Sequence, residues 1–364
     1  MIELDGSYLE GGGSIIRIAT ALSAYTGKPC KIINIRANRP VKGLRAQHLE
    51  GLQGLADLCN GILKGAEIGS TEIEFHPGKE FKKNIEINIP TAGSVGLALQ
   101  AIMIAAVRMT SLHSNEAKDI KEIKIEVRGG ATNGKWAAPV NFIKHMLIPI
   151  LRKMGYKAEL EILKYGYYPK GGAHVKLTIH PSEIKPIELL EKGDIISING
   201  ISHASIDLKN KKVAERQKES FEKTIQEKLK IRPEIEIKYV DSICTGSAID
   251  IWTKTEHSYL GSSGLGEIRK SAEDVGKEAA YFLIEQLASK ASVDEHIEDQ
   301  LLPFMAISTL TGSSEENPVR DTLIESKIIA PKLTNHTKTN IWVIEKFLPV
   351  KFEIYEKTIK CCKL

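Results

Sequence analysis

His336 stands between an apolar stretch, Ile328 to Leu333, and an amphipathic run, Thr339 to Phe347. A neutral imidazole at a strand end, where α/β proteins collect their sites, can attack an activated phosphorus, and its neighbours can hold its pKa near neutrality. A lone histidine is more often structural, so the other polar clusters decide its reading. The segment Arg36-Ala37-Asn38-Arg39-Pro40-Val41-Lys42-Gly43-Leu44-Arg45-Ala46-Gln47-His48 puts four cations and a histidine into thirteen residues with no acid. Solvated faces elsewhere in this chain mix both signs of charge. Arg45 and His48 are three apart and share a helix face. Guanidinium forks at a helix start are phosphate ligands, which points to phosphate or nucleic-acid backbone.

Two further clusters flank these. In Leu9-Glu10-Gly11-Gly12-Gly13-Ser14 a glycine run at a strand-to-helix turn lets the backbone approach a ligand, and the amides that follow suit an anion. Glu10 would repel a bare phosphate, so it reads as a hydroxyl, proton or metal contact. Arg17 falls one turn further, on the helix face nearest the loop. In His296-Ile297-Glu298-Asp299-Gln300, His296 and Gln300 are four apart and Asp299 is three from His296, before an apolar stripe at Leu301, Leu302 and Phe304. Capping and ligand binding are both open for this cluster. There is no Walker A sequence, no dinucleotide fingerprint after a strand, and no zinc spacing; Gly261 to Gly266 reads as a polar loop.

The elements that must position these residues form a weak repeat. A glycine-rich turn leads into a helix at Ile15 to Tyr25. A strand (Cys30 to Ile35), a helix (Gly43 to Leu58) and two strands (Ile62 to Ile68, Glu72 to Phe75) follow. The same order recurs from Pro90-Thr91-Ala92-Gly93-Ser94: Val95 to Met109, Ile123 to Arg128, Ala138 to Met154, Ala158 to Leu163 and Ala173 to Ile179. A third, less regular copy closes the chain, from Glu295 to a strand at Val350 to Tyr355. The fold class expected is α/β (α+β), three β-α-β-α-β-β repeats spanning 1–184 and 289–364. Between them, 185–288 is richer in Lys and Glu and reads β-α-β-β-α, a small inserted α/β domain.

Composition sets the frame. The 364 residues are 42% hydrophobic, enough for two cores, and 50 cations against 46 anions leave +4, so anion binding must come from local clusters. Five cysteines without a paired spacing argue for a reducing, cytoplasmic setting, with Cys361 and Cys362 in a frayed tail. The longest apolar run, near Val95 to Val107, is too short to span a bilayer.

Taken in order, the clusters resemble the RNA 3'-terminal phosphate cyclase family over essentially the whole chain. The resemblance rests on Asp5-Gly6 with Glu10-Gly11-Gly12-Gly13 and Arg17, then Ile35-Arg36-Ala37 to His48, and Ala92-Gly93-Ser94 with Gln100. It continues through Gly129-Gly130-Ala131-Thr132-Asn133, Gly166 to Gly172, Asp299-Gln300-Leu301-Leu302-Pro303, His336 and Phe347-Leu348-Pro349-Val350. It implies repeats similar to the C-terminal domain of translation initiation factor 3 and a thioredoxin-like insert. It also implies ATP with magnesium or manganese, and an RNA with a 3'-phosphate end as partner; neither a membrane nor an obligate protein partner is expected. His336 would take AMP from ATP, pass it to the RNA phosphate, and the 2'-hydroxyl would close a 2',3'-cyclic phosphate. Glu10, Arg17, Arg36, His48, Gln100, Pro139, Asp299 and Gln300 match positions lining the nucleotide pocket. His296 stands where the family carries an aromatic ring on adenine. Arg39, Lys42 and Arg45 join Arg36 and His48 as the expected phosphate and RNA contacts, and Glu10 is the expected metal contact. The spacer from Phe304 to Pro331, with Glu315 and Glu316, is longer than the family pattern. An inactive cyclase-like relative acting in ribosome biogenesis, which should lack the nucleophilic histidine, and an enolpyruvyl transferase are the alternatives. A plain RNA-binding module would show more exposed aromatics than 6% allows.

Overall fold

The computed structural model describes residues 1–9, 11–110, 120–135, 137–311 and 325–364. The first sheet combines β1 (Ile2–Asp5), β2 (Cys30–Ile33), β3 (Ile62–Lys64) and β4 (Ile73–His76) in the order β1-β2-β4-β3, with β1 and β2 parallel and the other pairs antiparallel. Helices α1 (Gly13–Thr26) and α2 (Ala46–Leu58) cross over between strands. Ile15, Ile18 and Leu22 recur at helical spacing and are fully buried, which is why α1 lies on the core. It stops at Gly27, whose φ of 72° turns the chain left-handed while its N–H caps Ser23 O.

The second sheet repeats the arrangement. Strands β5 (Asn84–Ser94), β6 (Ile123–Ala131), β7 (Lys157–Lys164) and β8 (His174–His180) stand in the order β5-β6-β8-β7, again with only the first pair parallel. Helix α3 (Val95–Thr110) follows β5, and α4 (Val140–Phe142) runs through a π-helical segment, Ile143–Leu147, into α5 (Ile148–Lys153). Pro90 to Ser94, expected as a turn, is the end of β5: the ladder with β6 shifts register between Ile89 and Ser94, and the strand runs straight into α3.

After β9 (Glu188–Leu189) the chain builds a separate sheet from β10 (Ile195–Ser205), β11 (Glu234–Val240), β12 (Ser247–Thr255) and β13 (Tyr259–Leu265), ordered β11-β10-β12-β13. It is covered by α6 (Val213–Leu229) and α7 (Ala272–Ala288), with a core of its own around Ile198, Phe221, Ile225, Ile249, Val275 and Leu283. The expected polar loop at Gly261 to Gly266 is therefore corrected to a strand. The glycines are there for close packing: a Cβ on Gly261 would collide with the Met146 sulfur and the Ile251 carbonyl.

The third sheet takes β9 together with β14 (Ser326–Ile329), β15 (Val350–Tyr355) and β16 (Thr358–Lys363), in the order β9-β14-β16-β15 with β9 and β14 parallel. Its helices are α8 (Glu295–Thr311) and α9 (Asn335–Phe347). All three sheets thus share one strand order and one set of orientations, and their helices pack into one core that includes Ile18, Leu99, Ile102, Leu301, Phe304 and Ile344. The expected frayed tail is also corrected: β16 pairs on both edges and Cys361 is fully buried. Apolar residues at alternating positions 359 and 361 carry that strand into the core. All five cysteines are free thiols.

Candidate active site

The glycine run and the basic loop meet at the start of α1. His48, in the first turn of α2, lies so close to Gly13 that a Cβ there would sit 2.5 Å from its Nε2, so glycine gives the ring room for the approach. The Arg45 N–H donates to His48 Nδ1 (3.2 Å), which leaves Nε2 to carry the ring proton toward α1. Burial first, then the positive charges of Arg36, Arg17 and Arg45, push the His48 pKa down to about 3, so the ring is a neutral donor at physiological pH. A cleft of about 430 Å³, including its open mouth, is lined here by Gly13, Arg17, Gln47, His48, Ser94 and Leu97.

Arg17 reaches across this cleft to α3, where its Nε donates to Gln100 Oε1 at 2.8 Å. Burial lowers the Arg17 pKa, and the negative charge of Asp299 opposes that shift. Asp299, on α8, is in turn raised to about 6 by burial, against the opposing charges of His296, Arg17 and His336. This electrostatic knot links α1, α8 and α9.

The knot is held by a backbone detail. Pro303 lies inside α8 and has no N–H, so it cannot bond the Asp299 carbonyl four residues back. Asn340 Nδ2 from α9 takes that carbonyl at 3.2 Å, and Asn340 Oδ1 accepts from Ser14 Oγ of α1 at 2.7 Å. Proline, asparagine and serine thereby fix the angle between the three helices. His336, the second residue of α9, is exposed beyond them. The helix is capped by Thr334, whose Oγ1 accepts from the Thr337 N–H while Thr337 Oγ1 accepts from the Thr334 N–H, both at 3.1 Å. A helix N-terminus favours an anion beside His336.

A second cleft opens beside the knot. Pro139, Phe142, Met146, Trp252, Ser262 and His296 line it. The His296 ring meets Phe142 edge-on with centroids 5.8 Å apart and lies roughly parallel to Phe282 at 6.4 Å. The Asp294 carboxylate caps this helix, with Oδ1 accepting from the His296 and Ile297 amides and Oδ2 from the Gly261 amide. An apolar slot walled by aromatic edges suits a planar ring.

The basic loop curls over the first cleft. Arg36 has φ 56°, in the left-handed region that favours glycine, in a turn closed by Arg39 N–H to Arg36 O at 3.0 Å. Arg36 is lowered by burial and by the like charges of Arg39 and Arg45. Three guanidiniums held near one another in this way favour an anion beside them. Lys42 is exposed at the tip.

Arg17, Gln100, His48, Asp299, His296 and His336 are thus drawn into one neighbourhood, with Arg36, Arg39 and Arg45 beside it and Pro139 across the second cleft. Gln300 is buried in α8 and is not among the residues lining either cleft. Glu10, and Glu315 and Glu316 of the spacer, lie outside the described residues. No group of three potential ligands for a metal stands together among the described residues. No helix among them is long and apolar enough to cross a membrane.

A family model described as RNA 3'-terminal phosphate cyclase matches residues 8–354. The chain belongs to the RNA 3'-terminal phosphate cyclase family. It is 41% identical to an RNA 3'-terminal phosphate cyclase of Methanopyrus kandleri, over 98% of this chain and 96% of that protein. The cyclases of Pyrococcus furiosus (42%, covering 97% and 95%) and Archaeoglobus fulgidus (41%, covering 97% and 98%) are similar to it to the same degree. Membership makes this an enzyme and removes the enolpyruvyl transferase reading.

Sequence reasoning passed over Gln47, Ser14, Asn340, Thr337 and Glu298. A signal existed for most of them: Ser14, Asn340, Thr337 and Glu298 are polar residues at positions that helical spacing turns inward.

Proposed function

We propose that this cyclase converts an RNA 3'-terminal phosphate into a 2',3'-cyclic phosphate at the expense of ATP, with His336 as the nucleophile. What supports the reading is the junction of α1, α8 and α9, where Asn340 bonds both Ser14 and the Asp299 carbonyl, so that Arg17, His296 and the exposed His336 all act on Asp299. A nucleophile, a phosphate-bearing cation and a carboxylate stand in one group.

In this reading a ring nitrogen of His336 attacks the α-phosphorus. The P–N bond forms, the bond to the β-phosphate oxygen breaks, and pyrophosphate leaves with the electron pair while the ring sheds its proton. The RNA phosphate then displaces the histidine from AMP, and the 2'-hydroxyl, giving up its proton, displaces AMP from the RNA. The last step needs mainly positioning, since both groups are on one ribose. Arg17 and the neutral N–H of His48 bear charge on the α-phosphate, Arg36, Arg39, Lys42 and Arg45 hold the RNA phosphates, and Pro139, Phe142 and His296 take the adenine. Gln100 aims Arg17. Glu10 and Gln300 belong to the nucleotide contacts in this proposal. Magnesium or manganese would arrive with the triphosphate, whose charge it offsets. The cytoplasmic setting suggested by the free thiols is part of the same proposal.

The test is covalent labelling. Incubation with ATP labelled at the α-phosphate should leave acid-labile, alkali-stable label on the denatured protein. An RNA with a 3'-phosphate should discharge it and acquire a cyclic end; label that never appears with either metal would overturn the covalent histidine route. Arg17→Met should lower label formation on the order of 10²-fold while the melting curve stays cooperative, because a preorganised cation is lost. A rate within a factor of two of the parent, in single-turnover labelling, would assign Arg17 to structure.

A further inference from the structure

Glu298 is fully buried on α8, next to Asp299, and plays no part in the chemistry above. Its Oε2 is 3.1 Å from Thr337 Oγ1, and its Oε1 has no hydrogen-bond partner among the described residues. Thr337 belongs to the capping box that begins α9, and His336 is its neighbour in sequence. The carboxyl of α8 therefore touches the first turn of the helix that presents the nucleophile.

An ionised carboxylate is a poor occupant of this position. The charges acting on it, Asp299 and Glu295 on its own helix, are of like sign, and α9 offers it the Thr337 hydroxyl. The nearby cation Lys332 pairs with Glu295 at 2.7 Å. Burial first, and Asp299 next, raise the carboxyl to about 8. With a proton on Oε2 the bond runs from Glu298 to Thr337 Oγ1, and the Thr337 hydroxyl turns to Thr334 Oγ1, 2.9 Å away. The capping box is then satisfied in either direction, but only the protonated form avoids a buried charge.

We propose that Glu298 is a positioning residue for His336, acting as a neutral acid that ties the first turn of α9 to α8 through Thr337. This rests on the reading of His336 as nucleophile. Its signature is a pH dependence that no direct contact with ATP would give. The folded protein keeps a proton that the unfolded chain releases, so the stabilisation is complete below the ordinary carboxyl pKa. It falls as pH climbs to about 8, where Glu298 ionises. Above that, the first turn loosens and His336 loses its placement.

The experiment compares the full-length parent with Glu298→Gln and Glu298→Ala, using α-labelled ATP from pH 6 to 9.5. Glutamine mimics the neutral acid. It should keep the neutral-pH labelling rate within about threefold, lose the rate decline centred near pH 8, and show a melting temperature that falls less than the parent's between pH 5 and 8. Alanine should slow labelling at least tenfold at saturating ATP with little change in the KM for ATP. Should alanine fail to fold, the glutamine pH profile alone decides. An unchanged decline near pH 8 in Glu298→Gln, or a folded alanine variant that labels normally, overturns the proposal. Absence of label in the parent would instead overturn the reading of His336.

Discussion

His336→Ala is expected to label with α-phosphate at a rate reduced on the order of 10⁴-fold or more, the scale of losing a covalent nucleophile, while its melting temperature stays within a few degrees of the parent's. The second half of this expectation comes from position. His336 is exposed at the second position of α9, and the turn is held by Thr334, Thr337 and Asn340, none of which is changed. Truncation there leaves the Thr334 cap in place and is made on an exposed side chain. The first half comes from chemistry: phosphoryl acceptors with a free lone pair near neutral pH are few among side chains, and the Asp299 field favours a positive ring as the P–N bond forms. Lys338 and Lys42 are the alternative amines. Both are exposed, and neither is among the charges that act most on Asp299. Single-turnover labelling followed by mapping of the labelled peptide separates the cases. Label that persists in His336→Ala and maps to Lys338 or Lys42 would move the nucleophile and leave His336 as an anion contact.

Much of this arrangement was legible in the sequence because it depends on local chemistry. Glycine at 13 and an acid-free basic loop at 36–48 are visible without a fold, whereas His336, expected at a strand end, stands in the first turn of α9, beyond the end of β14. The element order of the first two sheets was legible for the same reason, since apolar periodicity and glycine turns act within short windows. What stayed hidden is non-local. The bond from Ser14 to Asn340 spans 326 positions, and the consequence of Pro303 for Asp299 appears only when α9 is alongside. Gly261 to Gly266 was misread because glycine signals both turns and close packing, and only the Met146 side chain from another sheet's helix distinguishes them. The tail was misread because lysines on the outer face of β16 masked an inward alternation of Ile359 and Cys361.

The other large effect is on stability, and it lies where the inserted sheet meets the second repeat. Asp250 of β12 is 2% exposed, so its oxygens need hydrogen-bond donors around them. Three do: Asn133 Nδ2 to Oδ1 at 2.8 Å, Asn141 Nδ2 to Oδ2 at 2.8 Å, and His203 Nε2 to Oδ2 at 3.2 Å. His203 is itself oriented by the Tyr167 hydroxyl, which donates to Nδ1 at 2.6 Å. Asn133 and Asn141 belong to the second repeat, whereas Asp250 and His203 belong to the inserted sheet, so one carboxylate joins the two through buried polar bonds. Asp250→Ala leaves buried donors of both parts without an acceptor, which costs about 3–5 kcal/mol, the range for removing one member of a buried charged network. Asp250→Asn keeps the shape but turns one acceptor into a donor facing a donor, so it should recover only part of the loss. Asn133→Ala, removing one donor while the carboxylate keeps two, should cost about 1–2 kcal/mol. Denaturant titrations of the three variants test this ordering. If Asp250→Ala unfolds at the parent's midpoint, the junction is held by apolar packing around Tyr165, Tyr167 and Ile201, and the network serves another purpose. If the ordering holds, the position of Pro139 and Phe142, on the segment that carries Asn141, is set by a residue of the insert, and the second cleft is shaped from outside the repeats.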